Sequence, residues 1–145
     1  MIAIGCDHGG FDLKVQVMEH LKAQGVECKD FGCYDKSSCD YPEFGHAVGK
    51  AVASGECEKG IVICTTGIGI SISANKIKGV RAALCADVLS AKMTRLHNDA
   101  NVLAMGAGIV GPNLAMEIVD TFLQTAFSEE ERHQRRIDKI EAGIE

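Results

Sequence analysis

Cys64 ends the apolar run Ile61-Val62-Ile63 and is followed by Thr65-Thr66-Gly67-Ile68-Gly69. A thiol at a strand end, two hydroxyls and two glycines ahead of a helical period form a set that can do chemistry. The first N–H groups of a helix have no intrahelical acceptor and carry partial positive charge, so they favour anions. A thiol in that field ionises more readily than a free one, at about 8.5. Gly67 and Gly69 let the backbone approach a ligand closely. These residues predict an anion cradle with a thiolate base at its rim. The plainer alternative is a buried strand-end cysteine beside a tight helix start.

Three sharper motifs fail here. A dinucleotide fingerprint needs a third glycine, and position 72 is Ile. The Gly-Lys-Ser/Thr of a P-loop is absent. A cysteine phosphatase closes its loop with an arginine six residues after the nucleophile, and position 70 is Ile.

Other polar groups sit at similar places. Asp7-His8 follows the run Ile2 to Cys6 and suits hydroxyls or a phosphate, or else a simple Asx turn with a solvated imidazole. His97 and Asn98, in RLHNDANV, offer a proton shuttle near neutral pH or a helix C-cap. Arg132 and Arg136 are spaced i, i+4, so two guanidinium groups on one helix face make a phosphate clamp. Their alternative is a solvated helix laced with ion pairs to Glu129, Glu130 and Glu131.

Something must hold these groups, and the pattern says what. Strands are predicted at 2–6, 26–31, 59–64, 80–86 and 101–106. Helices are predicted at 11–25, 43–54, 67–77, 87–97, 112–126 and 129–141. Strands alternating with helices imply β-α-β units and a parallel sheet with right-handed crossovers. The expected fold is α/β: a Rossmann-like three-layer αβα sandwich with a five-stranded parallel sheet, formed as one domain over 1–145. Ligands of such sheets bind beyond the strand carboxyl ends, where strand order reverses. Asp7, Cys64 and the Gly106-Ala107-Gly108 turn occupy those ends.

Composition narrows the partners. The formal charge is −5 and no basic stripe appears before residue 132, which argues against nucleic acid. Apolar runs stay far below the ~18 residues of a membrane span. The N-terminus lacks a signal-peptide pattern, so a cytoplasmic protein is expected. The seven cysteines include no C-x-x-C, and Cys28, Cys33 and Cys39 are spaced too widely for a usual zinc knuckle.

In this order and spacing, GCDHGG, DYP at 40–42, ICTTGIGISISANK, GVRAALC, RLHNDANVLAMGA and RHQRR resemble the type B ribose-5-phosphate isomerases. The same segments resemble the related allose- and galactose-6-phosphate isomerase subunits, over residues 2 to about 140. The resemblance implies an aldose–ketose isomerase that interconverts ribose 5-phosphate and ribulose 5-phosphate through an enediolate. It makes Cys64 the base. Thr66 and the 65–70 backbone form the anion hole, with Gly67, Gly69 and Ser71 at the substrate. Asp7 and Tyr41 contact the sugar. His97 opens the furanose ring, with Asn98 beside it, and His8, Arg132 and Arg136 hold the phosphate.

It also implies that His97 and Asn98 come from a partner subunit, hence a homodimer or dimer of dimers with shared sites, and that no cofactor or metal is used. The chain departs from the family at Thr65, where glycine is common, and at Gly108, where many members carry an arginine. The position where some relatives place a glutamate base is Ile70, which leaves Cys64 in that role. Two other readings stay open: a six-carbon sugar-phosphate isomerase, such as one for allose 6-phosphate, and a non-catalytic sugar-phosphate binding module.

Overall fold

The computed structural model describes residues 1–143. Five strands, β1 (Ile2–Cys6), β2 (Cys28–Asp30), β3 (Lys59–Cys64), β4 (Ala82–Leu84) and β5 (Val102–Gly106), form one sheet in the order β2-β1-β3-β5-β4. Every pairing is parallel. Chain order therefore reverses between β1 and β3, and a crevice opens at their carboxyl ends. Asp7 and Cys64 stand at that crevice.

The residues of β1 and β5, and those of β3 after Lys59, are buried, as expected for strands covered on both faces. Strand alternation divides them between two cores. Ile2, Ile4, Ile61, Ile63, Leu103 and Met105 face the larger core. There they meet α1 (Phe11–Ala23), α4 (Val88–Asn98) and α5 (Pro112–Gln124), which bring Val17, Ala91 and Phe122. Ala3, Val62, Cys64, Val102 and Ala104 face the smaller core, where α2 (Tyr41–Ala53) and α3 (Ile68–Asn75) supply Val48, Ile70 and Ala74. The parity that buries Val62 thus also turns the Cys64 sulfur towards α3. The last helix, α6 (Glu131–Ala142), lies outside this sandwich against α4. No described helix is long and apolar enough to cross a membrane.

The elements differ from the sequence reading mainly at their ends. β2 and β4 are three residues each rather than the six and seven expected, because each lies at a sheet edge and pairs on one side only. Helix α2 begins at Tyr41, ahead of Pro42, since proline fits the first turn where its missing N–H is not needed.

One buried charge ties the outer edge to the sheet. Lys14, 1% exposed, donates to Asp30 Oδ1 and Oδ2 at 2.8 and 2.9 Å and to the Cys33 carbonyl. Its ammonium also lies 5.3 and 5.4 Å from the ring centroids of Phe11 and Tyr34. This knot fixes the start of the segment that leads to Tyr41. Lys14→Met is expected to cost about 3 kcal/mol, the low end for breaking a buried pair because water still reaches Asp30. Asp30→Asn should cost more, because the charge left unpaired is then the buried one. Thermal melts of both variants test the order, and equal melting temperatures would contradict it.

Candidate functional site

The turn between β3 and α3 needs glycine at 67. Its φ is 77°, and a Cβ there would lie 2.6 Å from the Met105 carbonyl carbon and 2.8 Å from the Gly106 nitrogen. With the backbone so placed, the Gly67 amide donates to Cys64 Sγ at 3.1 Å. The Ile68 amide donates to Thr66 Oγ1 at 3.2 Å. Two of the loop's donors are thus already engaged. The amides of Gly69 and Ile70, in the first turn of α3, have no acceptor among the described residues.

Around this turn lies a cavity of about 470 Å³ lined by Asp7, Tyr41, Cys64, Thr65, Thr66, Ile68, Gly69 and Ile72. Asp7 closes the short 3-10 turn His8–Gly10, its Oδ1 accepting the amides of Gly9 and Gly10 at 3.0 and 3.2 Å. Its Oδ2 has no hydrogen-bond partner among the described residues. Tyr41 lies directly over Gly69, since a Cβ on Gly69 would come within 2.5 Å of the Tyr41 ring. The structure therefore brings together Asp7, Tyr41 and the loop residues Cys64, Thr66 and Gly69, from three separate stretches of the sequence. Ser71 is not among the lining residues: it is buried, and its Oγ donates to the Ile68 carbonyl at 2.7 Å.

Position also separates the thiols. Burial pushes Cys6, Cys28, Cys39, Cys57 and Cys85 upward, Cys85 to about 11, so these five stay protonated at neutral pH. None of them lines the cavity.

A second polar cavity, of about 340 Å³, is lined by His97, Asn98, Arg132, His133 and Arg136. It forms where α6 crosses the end of α4. Arg136 has no acidic partner among the described residues, whereas Arg132 meets Glu130 at 3.0 Å. His133 escaped the sequence reading. It is buried, stacks on His97 with ring centroids 4.5 Å apart, and holds Nδ1 2.7 Å from Ser128 Oγ. Burial first, then His97, Arg132 and Arg136, hold its imidazole below the ordinary value, with Glu130 opposing them. A neutral His133 therefore backs His97. In sequence, 133 and 136 are i, i+3 and share a helix face, but that spacing does not state what the face meets.

Behind this cavity, Arg81 grips the turn after α4. Nε donates to the Asn98 carbonyl and Nη2 to the Asp99 carbonyl, both at 2.9 Å, and Nη1 reaches Glu141 on α6 at 2.6 Å. His8 stands apart from both cavities. Its Nδ1 accepts the Cys39 amide at 3.2 Å, which puts the proton of the neutral ring on the exposed Nε2. The two cavities share no lining residue.

A sequence model of the family described as Ribose/Galactose Isomerase matches residues 2–140. The chain is 49% identical to Ribose-5-phosphate isomerase B of Escherichia coli over 141 residues, covering 97% of this chain and 94% of that one. It is 43% identical to Galactose-6-phosphate isomerase subunit LacB of Clostridium acetobutylicum over 145 residues, covering 100% and 84%. The solved structure of Clostridium thermocellum Ribose-5-Phosphate Isomerase B superposes with a TM-score of 0.96 at 52% identity, covering 97% and 95%.

Proposed function

We propose, from the premise that this chain belongs to the ribose/galactose isomerase family, that Cys64 is the base that interconverts ribose 5-phosphate and ribulose 5-phosphate. The observation that carries this is the Cys64 sulfur at the β1/β3 crevice, 3.1 Å from the Gly67 amide and in one cavity with Asp7 and Tyr41. Cys64 takes the proton from C2 of the open-chain aldose. The electrons move to the carbonyl oxygen, giving an enediolate. The O2 hydroxyl proton passes to O1, Cys64 returns its proton to C1, and the ketose carbonyl forms at C2.

The C–H bond beside a carbonyl is a weak acid, so the enediolate must be stabilised as it appears. Preorganised amides do this, and each such donor is typically worth about 2.7–4 kcal/mol. The amides of Thr65, Thr66, Gly69 and Ile70, none with an acceptor among the described residues, are the donors this loop offers for that task. Arg132 and Arg136, with the exposed Nε2 of His8, are the cationic and N–H groups for the phosphate, whose binding fixes the reacting carbons at a distance.

Each chain carries two half-sites, the Cys64 cavity and the His97 cavity. Ile68 and Ile72, one turn apart on α3, and Leu89 on α4 stay exposed. Exposed apolar side chains beside an incomplete site favour a partner surface. We read this as a homodimer in which one subunit's His97 cavity closes the other's Cys64 cavity.

Incubation with ribose 5-phosphate tests the function: ribulose 5-phosphate supports isomerisation, free phosphate a phosphatase, and no product a binding module. Comparing kcat/KM for ribose 5-phosphate and allose 6-phosphate decides the sugar length. Arg136→Ala is expected to raise KM by about 10- to 100-fold, the worth of hydrogen bonds to a charged group. Arg132→Ala should raise it less, because Glu130 already competes for that guanidinium. An unchanged KM in both variants would leave α6 as a merely solvated helix.

A further inference from the structure

Thr65 is held between two loops of the crevice. Its carbonyl accepts the Gly108 amide at 2.8 Å, which ties it to the turn after β5. Its Oγ1 stands 2.2 Å from the point where a Cβ on Gly9 would sit, and Asp7 Oδ1 stands 3.4 Å from that same point. Its Cγ2 stands 3.3 Å from where a Cβ on Gly108 would sit. The methyl group therefore faces the β5 turn, and the hydroxyl faces the Asp7 turn.

Thr65 is exposed and lines the same cavity as Cys64. Thr66 Oγ1 is engaged with the Ile68 amide and Ser71 Oγ with the Ile68 carbonyl. The Thr65 hydroxyl has no such partner among the described residues. Asp7, which lines the same cavity, has Oδ1 on the amides of Gly9 and Gly10 and no partner for Oδ2 among the described residues.

We propose that Thr65 is a specificity-determining residue of this site: its hydroxyl and the free oxygen of Asp7 together read one hydroxyl of the sugar. The sugar O–H donates to the Asp7 carboxylate, and the sugar oxygen accepts from Thr65 Oγ1. This rests on the reading of the cavity as a sugar-phosphate site. One hydroxyl can serve as donor and acceptor at once, so the pair fixes both the presence and the direction of that group. A sugar lacking it leaves two polar groups unserved, which costs more than the made bonds gain.

Thr65→Val keeps the shape and removes the hydroxyl. Calorimetric titration with ribitol 5-phosphate, an open-chain polyol that cannot isomerise, and with inorganic phosphate reads the effect without turnover. Ribitol 5-phosphate should bind about tenfold more weakly to Thr65→Val, the scale of one hydrogen bond, with inorganic phosphate unaffected. Thr65→Ser, which keeps the hydroxyl and loses the methyl group, should recover most of the lost affinity. Unchanged ribitol 5-phosphate affinity in Thr65→Val overturns the proposal. So does equal weakening of both ligands, or a serine variant as weak as the valine one. A wild-type protein that neither binds ribitol 5-phosphate nor isomerises ribose 5-phosphate overturns instead the isomerase reading beneath it.

Discussion

Cys64→Ala is expected to lower kcat for ribose 5-phosphate by about 10³-fold, within the 10²–10⁴ that a positioned base contributes. The melting temperature should fall by only about 2–4 °C. The sulfur packs in the smaller core beside Val62, Ile70 and Ala104, and removing one buried atom there costs about 1 kcal/mol. Cys64→Ser tests the same role from the other side. Its Oγ can still accept the Gly67 amide, so the turn keeps its shape, but an alcohol is a far weaker acid than a thiol and supplies almost no anion at neutral pH. Both variants should bind ribitol 5-phosphate while forming ribulose 5-phosphate about 10³-fold more slowly. That combination separates a lost base from a lost site. Turnover within tenfold of wild type in either variant would falsify the assignment. A non-catalytic binding module would show no turnover to lose.

The sequence carried this residue for a physical reason. Strand alternation and the switch-point rule act on every residue of β3, so Cys64 is placed by the fold and not by one motif. The same holds for Asp7 at the end of β1. Edge strands were harder, because β2 and β4 pair on one side and end sooner than their apolar residues suggest. Which amides stay unengaged was not legible either. A run of loop N–H groups looks uniform in sequence, yet Gly67 turns inward to sulfur and Ile68 to Thr66. Ser71 shows the same limit: its hydroxyl is one turn from the loop but bonds back into its own helix, as serines in helices often do. His133 is a contact of tertiary origin. The stack on His97 requires α6 to cross α4, and no local pattern in either helix states that crossing.

The division of the site into two cavities makes its own large prediction. His97→Asn should lower kcat/KM for ribose 5-phosphate by about 10²-fold, the lower range for a positioned proton donor or acceptor. Most of that substrate is a closed furanose and must be opened before C2 can lose its proton. A tetrose 4-phosphate cannot close that ring, because its ring oxygen is esterified, so the same variant should treat it nearly as wild type does. Equal losses on both sugars would remove ring opening from His97. The place of the residue can be tested with the same material. His97 and Cys64 line cavities with no common residue, and the proposed dimer takes one from each subunit. Mixing inactive Cys64→Ala with inactive His97→Asn and letting subunits exchange then yields heterodimers with one doubly altered site and one intact site. In an isologous dimer about a quarter of wild-type activity should return. If each chain completed its own site, no mixture could recover activity, and persistent inactivity after proven exchange would place both residues in one subunit's site.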